Sequence, residues 1–252
     1  YTFMGWSTKP MQSVSPQYEA EEKITVNGNV DLYAVVFNRT TETDLTEDQL
    51  PQVDIYKYKQ VIFVGDSRTE FMENVLTGMG ESATKNVKFV CSAGKGLDWF
   101  TTTGWAQLYS IVQHDSNSIL SKKTAVIFNF GVNDLSKSAD YAEYYNWIAP
   151  QLKSKGCELY FMSVNPVNRL MLPNAGRADR SEAAVRSFNQ YMKTNLSSAY
   201  TYIDMYSYLK STGYSFASDH YGTGTVDDGL HYTTRTYKRI FAKCMDSLRV
   251  PA

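Results

Sequence analysis

From residue 56 onward, short apolar runs alternate with stretches of helical periodicity, and this alternation strongly restricts the possible folds. Each run is too short for a helix, and most are apolar at every position, as expected of central strands in a parallel sheet covered on both faces. The pattern predicts an α/β domain: a three-layer α/β/α sandwich around a five-stranded parallel sheet. The predicted strands are Val61–Val64, Val87–Cys91, Ala125–Phe130, Leu159–Val164 and Tyr202–Met205.

Two of the predicted helices have clear apolar stripes. Ser181 and Glu182 are typical of a helix start. The other helix is the last one predicted in the sequence. Apolar residues at helical spacing follow in both. They are Val185, Phe188, Met192 and Leu196 in the first, and Tyr237, Ile240, Phe241, Cys244, Met245 and Leu248 in the second.

The first 55 residues have a different character. Short alternating runs at Tyr1–Trp6, Ile24–Val26 and Asp31–Phe37 predict strands, and Asn27–Asn29 between the last two indicates a hairpin turn. Acidic residues, threonines and Pro51 then suggest a linker. We therefore predict a small β module at 1–37, a linker at 38–55 and the α/β domain at 56–252.

Composition excludes several classes of function. The 25 lysines and arginines nearly balance 26 aspartates and glutamates, so the basic surplus of a nucleic-acid-binding protein is missing. No apolar run approaches the roughly 20 residues of a membrane-spanning helix, so we expect no membrane insertion. The three cysteines match no zinc spacing. These features favour a globular protein that acts on a small molecule or a glycan, without nucleic-acid partners.

Glycine and polar residues cluster where the predicted strands end. Carboxyl ends of parallel strands share one edge of a sheet, and ligands bind there. Each cluster alone is weak evidence, because serine after a strand is usually a helix cap and glycine usually serves a turn. The clusters are Gly65–Thr69, Ser92–Gly96, Gly131–Asp134 and, just before the last helix, Asp228–His231.

Together these clusters contain the groups that acyl transfer needs. A serine hydroxyl needs a neighbouring base to become nucleophilic, and Ser67 and His231 supply such a pair. Asp228, three residues before His231, is placed to accept the Nδ1 proton of the imidazole. His220 also follows an aspartate, but an adjacent carboxylate would point away from it, and His114 lies between predicted elements. Ser67 and His231 are therefore the favoured pair.

Acyl transfer also needs donors for the oxyanion that forms on the substrate. The backbone N–H of Ser67 at a helix start, a glycine N–H of the second cluster and the Asn133 side-chain amide are candidates. Asp66 and Asp134 are better explained as acceptors of backbone N–H groups beside turns.

In this order, the clusters resemble the four blocks of the SGNH (GDSL-like) hydrolases, over residues 56–252. The family's Gly-Asp-Ser-Leu stands here as Gly65–Arg68, Gly-x-Asn-Asp as Gly131–Asp134, and Asp-x-x-His as Asp228–His231. The second-block glycine aligns best with Gly94, and Gly96 fits with a shift of one step.

The resemblance implies a flavodoxin-like sandwich that hydrolyses esters through an acyl-enzyme, with no metal or other cofactor. Ser67 would be the nucleophile and His231 the general base and then the general acid. Asp228 would orient His231. Ser67 N–H, Gly94 N–H and Asn133 would form the oxyanion hole.

The first segment resembles the C-terminal part of a Listeria–Bacteroides type surface repeat, whose first strand would then be missing here. The resemblance implies an exported protein, extracellular or on the bacterial cell surface, with the module as a spacer or an anchor associated with the cell wall. The matching residues are Tyr1, Thr2, Phe3, Gly5, Trp6, Val26, Leu32, Tyr33 and Ala34.

The substrate is less well determined. The leading hypothesis is an O-acetylesterase acting on a polysaccharide or cell-wall glycan, because a surface module accompanies a site without a long apolar lid-like insertion. The alternatives are a lipase-like or thioesterase activity on longer acyl chains, and a surface glycan-binding or adhesion protein without catalysis. Four cations either form a rim that favours an anionic glycan or a polar acyl acceptor, or are ordinary solvated charges: Arg68, Lys95, Arg169 and Arg177. Four aromatic residues either stack on a sugar ring or belong to the core: Trp99, Phe100, Trp105 and Tyr221.

Overall fold

A five-stranded parallel sheet lies at the centre of the computed structural model, which describes residues 1–10, 14–54, 57–115, 123–172, 180–218 and 227–248. When the strands are numbered along the chain, those of the sheet lie side by side in the order fourth, third, fifth, sixth and seventh. All five predicted strands are present, but the last lies at Tyr200–Ile203 and not at Tyr202–Met205, since Met205 begins a helix. The strands are β1 (Thr2–Ser7), β2 (Tyr33–Phe37), β3 (Tyr58–Gly65), β4 (Val87–Cys91), β5 (Lys123–Asn129), β6 (Cys157–Met162), β7 (Tyr200–Ile203), β8 (Phe216–Ser218) and β9 (Asp227–Tyr232).

Helices cover both faces of the sheet, which confirms the three-layer α/β/α sandwich. One apolar cluster joins the sheet to α4, α5 and α6, and a second joins the other face to α1, α7 and α8. The helices are α1 (Ser67–Thr77), α2 (Glu81–Thr84), α3 (Leu97–Trp99), α4 (Trp105–Asp115), α5 (Ser138–Ser154), α6 (Glu182–Asn195), α7 (Met205–Thr212) and α8 (Thr234–Ser247), with a π-helical turn at Phe100–Gly104 before α4.

Central strand β3 shows why the runs are apolar at every position. Ile62 and Val64 belong to the cluster on one face, whereas Val61 and Phe63 belong to the cluster on the other. Successive side chains of a strand point to opposite faces, so a strand between two helical layers needs apolar residues throughout.

The helix predicted to start at Ser181 does so, and the last helix, whose start was not predicted, begins after Thr233. Ser181 caps α6 by accepting a hydrogen bond from the Ala184 N–H on its side-chain oxygen at 3.1 Å. Thr233 caps α8 in the same way, with the Thr236 N–H as donor at 3.4 Å. Such caps satisfy backbone donors that have no partner within the helix. The apolar stripes of both helices face the sheet.

The small N-terminal strand pair is present, but its predicted pairing is wrong. β1 pairs antiparallel with β2, with Thr2 opposite Phe37 and Ser7 opposite Tyr33. Ile24–Val26 forms no strand, so Asn27–Asn29 does not close a hairpin. In the observed pairing, Met4 of β1 is completely buried.

The first two segments of the chain pack against the α/β domain. Met4, Val35 and Phe37 of the strand pair, and Leu50 and Val53 of the following segment, lie in the same apolar cluster as α1 and α8. Residues 38–54 therefore lie on the domain surface. The division into module, linker and domain stays a prediction.

Polar contacts reinforce this packing. Arg39 donates to both carboxylate oxygens of Asp227, the first residue of β9. Buried Glu42 pairs with Arg239 of α8 at 3.0 Å. These two ion pairs connect the segment after β2 to β9 and to α8.

Within the described ranges, every helix is too short or too polar to cross a membrane.

Candidate active site

The topology brings the sequence blocks to one edge of the sheet. β3 and β5 are parallel neighbours, and their last paired residues are Gly65 and Asn129. α1 begins at Ser67, two residues after β3, and the loop that holds Asn133 follows β5. β9 carries His231 to this edge, where its ring contacts Ser67.

Ser67, His231 and Asp228 form a continuous chain of hydrogen bonds. The Ser67 Oγ lies 2.9 Å from the Nε2 of His231, and the Nδ1 of His231 lies 2.6 Å from the Oδ2 of Asp228. Only 5% of the surface of Ser67, 2% of His231 and none of Asp228 is exposed. Phe71 packs against the imidazole, with ring centroids 4.5 Å apart. Burial therefore shields this hydrogen-bonded chain from bulk water.

The backbone of β9 fixes the orientation of Asp228. Its Oδ1 accepts the N–H groups of Leu230 at 2.8 Å and His231 at 2.7 Å, which leaves Oδ2 for the imidazole. Burial alone would raise the pKa of Asp228, but the hydrogen bonds from His231 and these N–H groups outweigh it and lower the pKa. An ionised carboxylate is therefore maintained beside the imidazole.

Asp66 caps the helix that Ser67 begins. Its Oδ1 accepts the N–H of Arg68 at 3.0 Å. Complete burial raises its pKa to about 6, and the nearby Arg68 charge only partly offsets this effect. Because Ser67 is the first residue of α1, its backbone N–H has no acceptor within the helix, as an oxyanion donor requires. Asp66 itself has the backbone-acceptor contact expected from the sequence.

The two candidate glycines after β4 differ in their surroundings. Gly94 has a φ of +70°, and a Cβ added there would meet no atom within 4 Å. A Cβ on Gly96 would lie 2.3 Å from the Oδ2 of Asp134, so that glycine is required by packing. Asp134 accepts the Leu97 N–H at 2.9 Å and the Tyr141 hydroxyl at 2.8 Å. The open space at Gly94 favours it as the residue that faces a substrate.

Asn133 is half-buried and held at both ends of its amide. Its Nδ2 donates to the carbonyl oxygen of Lys95 at 2.8 Å, and its Oδ1 accepts from Arg180 at 3.1 Å. Arg180 also donates from Nε to the Val132 carbonyl at 2.7 Å. Sequence reasoning missed Arg180, since an arginine before a helix cap carries no signal of a contact with a loop some 47 residues earlier.

Arg68 is neither part of a cationic rim nor a solvated charge. Only 2% of it is exposed, and its guanidinium donates to three carbonyl oxygens: Leu230 at 3.0 Å, Asn165 at 2.9 Å and Pro166 at 2.8 Å. The plane of Tyr232 lies beneath it. Arg68 therefore connects the start of α1 to β9 and to the loop after β6.

Among the other predicted contacts, Phe100 is a fully buried core residue, and Trp99 and Trp105 pack against the same cluster. Arg169 is half exposed and lies 3.8 Å from Glu21. The remaining predictions lie outside the described residues or side chains: His114, Arg177, His220 and Tyr221.

A cleft of about 420 Å³ opens beside Asn133, and polar and apolar groups share its lining about equally. Arg180 borders it at the α6 end, and Arg169 at the loop after β6. Across the described part of the chain, no group of three or more histidine, cysteine, aspartate or glutamate side chains is arranged to hold a metal ion. The cleft is lined by Val132, Asn133, Asp134, Leu135, Ser136, Arg169, Arg180, Ser181 and Ala184.

Comparisons with known proteins show the family and the fold of the chain. The family model described as GDSL-like Lipase/Acylhydrolase matches residues 61–244. A protein of Slackia heliotrinireducens classed as an SGNH hydrolase has a TM-score of 0.50 at 12% identity, over 77% of this chain and 100% of its own. At this identity the likeness shows the fold.

Two further solved structures are similar at lower TM-scores. An acylhydrolase of Bacteroides fragilis has a TM-score of 0.48 at 17% identity, over 80% of this chain and 92% of its own. An acetyl xylan esterase, AlAXEase, has a TM-score of 0.48 at 11% identity, over 75% of this chain and 100% of its own. No curated protein sequence matches the chain.

Proposed function

The chain belongs to the GDSL-like lipase/acylhydrolase (SGNH) family and is an ester hydrolase, and we propose that it removes O-acetyl groups from a polysaccharide or cell-wall glycan through an acyl-enzyme. The observation that carries the mechanism is the buried hydrogen-bonded chain from Ser67 through His231 to Asp228. A binding protein gains nothing from such a chain, whereas a serine nucleophile depends on it.

In the first half of the reaction, Ser67 Oγ attacks the ester carbonyl while its proton passes to Nε2 of His231. The carboxylate of Asp228 stabilises the imidazolium that forms and keeps Nδ1 protonated. His231 then gives the proton to the leaving alcohol oxygen, which leaves acetyl-Ser67. In the second half, water loses a proton to His231 and attacks the acetyl carbonyl; His231 then returns that proton to Ser67 Oγ as the bond to the acetyl group breaks, and acetic acid leaves and ionises to acetate.

We assign the oxyanion to three donors: the backbone N–H groups of Ser67 and Gly94 and the side-chain amide of Asn133. The positive φ and open surroundings of Gly94 support its choice over Gly96. The fixed amide of Asn133 supports its role, because donors held in place before the reaction need no reorganisation as charge develops. Removal of one such donor lowers turnover by roughly 10²–10³-fold in serine hydrolases.

The cleft beside Asn133 is the proposed place for the glycan alcohol. Serine hydroxyls, a carboxylate and two guanidinium groups border it, which suits hydroxyl-rich ligands better than an alkyl chain. Arg169 and Arg180 would favour a glycan or acyl acceptor that carries negative charge. The N-terminal strand pair, as part of a surface repeat, would place the enzyme outside the cell or at the cell wall.

The test is hydrolysis of p-nitrophenyl acetate and p-nitrophenyl octanoate by wild type and by Ser67→Ala. We expect acetate to be preferred, with a loss on the order of 10⁶-fold in the variant. Acetate release from glucose pentaacetate then tests a sugar ester. Ser136→Ala, in the cleft, is the matched control for loss of a serine hydroxyl and should retain most of the activity toward p-nitrophenyl acetate.

Each outcome assigns the function differently. A preference for octanoate would replace the proposal with a lipase-like or thioesterase activity on longer chains. Activity that survives in Ser67→Ala would remove Ser67 as the nucleophile. Failure of Ser67 to react with a fluorophosphonate probe, together with no turnover of any ester, would indicate a binding protein on a hydrolase fold.

A further inference from the structure

We propose that Arg180 is a positioning residue for the oxyanion hole, acting through the side-chain amide of Asn133. The inference rests on the proposed function, because it assigns Asn133 as an oxyanion donor. Arg180 lies directly before the Ser181 cap of α6, and its guanidinium spans to the loop after β5. Arg180 lies outside all four sequence blocks.

The contacts define a single orientation of the Asn133 amide. Oδ1 faces an Arg180 N–H at 3.1 Å, and Nδ2 faces the Lys95 carbonyl at 2.8 Å. A flipped amide would place its NH₂ group against the guanidinium and its oxygen against a carbonyl, and both contacts would be repulsive. Arg180 thus prevents the flip that would turn an acceptor toward the oxyanion.

One amide N–H remains after these contacts. An asparagine side chain has two N–H donors, and the Lys95 carbonyl occupies one of them. Among the described residues the second has no hydrogen-bond partner, which leaves it for a substrate oxygen. A cation on the amide oxygen also polarises the group, so that its N–H becomes a stronger donor.

The same chain of contacts reaches the other loop donor. Lys95, whose carbonyl accepts from Asn133, follows Gly94 directly. Arg180 fixes Asn133, and Asn133 in turn fixes the loop that holds the Gly94 N–H. The bond from Arg180 Nε to the Val132 carbonyl at 2.7 Å anchors the guanidinium itself to the loop it positions.

The first experiment is a double-mutant cycle with p-nitrophenyl acetate, a small neutral substrate that gives the arginines no charge to recognise. We expect Arg180→Met to lower kcat by about 10–100-fold with KM changed less than about threefold, as for partial loss of one oxyanion donor. Asn133→Ala should lose roughly 10²–10³-fold. The double variant should lose no more than Asn133→Ala alone, since Arg180 then has no amide to position.

Two further variants make the cycle specific. Arg180→Lys keeps a charged donor and should recover part of the loss. Lys137→Met removes a cation from the same loop, where Lys137 pairs with Asp98 and not with Asn133, and it should leave kcat unchanged. Losses that multiply in the double variant, or Arg180→Met activity within about twofold of wild type, would overturn the inference.

A second measurement separates this inference from the proposed function. The two Asn133 side-chain amide protons, identified by their loss in Asn133→Ala, should give separated and slowly exchanging NMR signals in the wild type. In Arg180→Met we expect the signals to approach each other and to exchange faster. Unchanged signals would refute the positioning role even if the enzyme hydrolyses no ester tested. Altered signals in a protein without esterase activity would refute only the function.

Discussion

The two halves of the candidate site are built in opposite ways. The proposed proton-transfer half, formed by Ser67, His231 and Asp228, is almost fully buried and is held by backbone donors and by packing. The proposed oxyanion half is more open, with an exposed Gly94 and a half-buried Asn133 beside the cleft. Fixing a proton path requires burial, whereas a substrate must enter the oxyanion half. Mutations should therefore have different signatures in the two halves.

The largest difference should come from the two carboxylates, Asp228 and Asp134. We expect Asp228→Asn to lower kcat on the order of 10⁴-fold, because the amide favours the wrong imidazole tautomer and cannot stabilise the imidazolium. Asp134→Asn keeps an oxygen for the Leu97 N–H and should lose about tenfold or less. Turnover of p-nitrophenyl acetate measures both, and equal losses would contradict the division of roles.

The next contrast is between two arginines, Arg68 and Arg180. Arg68→Met leaves three buried carbonyl oxygens without donors and should reduce the free energy of unfolding by roughly 3–5 kcal/mol. Arg180→Met removes a donor from only one buried carbonyl, that of Val132, and from the half-buried Asn133 amide, so its cost should stay near 1–2 kcal/mol. Urea unfolding measures both, and the comparison fails if Arg180→Met is the more destabilising.

Asp66 should make stability depend on pH. Its folded pKa of about 6 exceeds the unfolded value of about 3.9, so the folded state binds the proton more tightly. Stability contributed by the protonated form is then lost as pH rises from about 4 to about 6. Asp228, whose pKa is lowered, has the opposite sign and loses its contribution as pH falls through that lowered value.

Asp66→Asn isolates this effect, because the amide oxygen can still cap α1 while the titration disappears. The variant's stability relative to wild type should be roughly 2–3 kcal/mol more favourable at pH 7 than at pH 4, at 1.36 kcal/mol per pKa unit. Urea unfolding at the two pH values measures it. A difference that does not change with pH would show that Asp66 does not titrate in this range.

The sequence predicted the features that have a local pattern and missed those that depend on long-range contacts. The sheet was predictable because strands between two helical layers contain runs that are apolar at every position, as Val61–Val64 in β3 and Ala125–Phe128 in β5 are. The four blocks were predictable because serine, histidine and amide chemistry leaves local patterns. The apolar runs and the sequence blocks each span only a few consecutive residues.

Long-range contacts left no such signal. Arg68 looked like a surface cation beside the nucleophile, yet its partners at Asn165 and Leu230 are almost 100 and more than 160 residues away. Arg180 reaches its partner Asn133 only through the tertiary fold. At the N-terminus, the Asn-Gly pair predicted the wrong hairpin: β2 pairs with β1, whose Met4 is buried against the domain. In all three places the decisive contacts join residues that are far apart in the sequence.

The smallest effects should decide between Gly94 and Gly96 as the oxyanion donor. Alanine at Gly94 has room for its methyl group but must adopt a positive φ, at a cost of about 1–2 kcal/mol. We expect the resulting shift of its N–H to lower kcat for p-nitrophenyl acetate about tenfold, with a small change in melting temperature.

Gly96→Ala is the matched variant, and its methyl group collides with the Asp134 carboxylate. Displacing that carboxylate strains its bonds to the Leu97 N–H and the Tyr141 hydroxyl, so the loss of stability should exceed that of Gly94→Ala. Its kcat, measured on the folded fraction, should stay closer to wild type. The reverse pattern, with Gly94→Ala fully active and Gly96→Ala folded but slow, would assign the donor to Gly96, since a change that spares the fold can slow turnover only through the reacting groups.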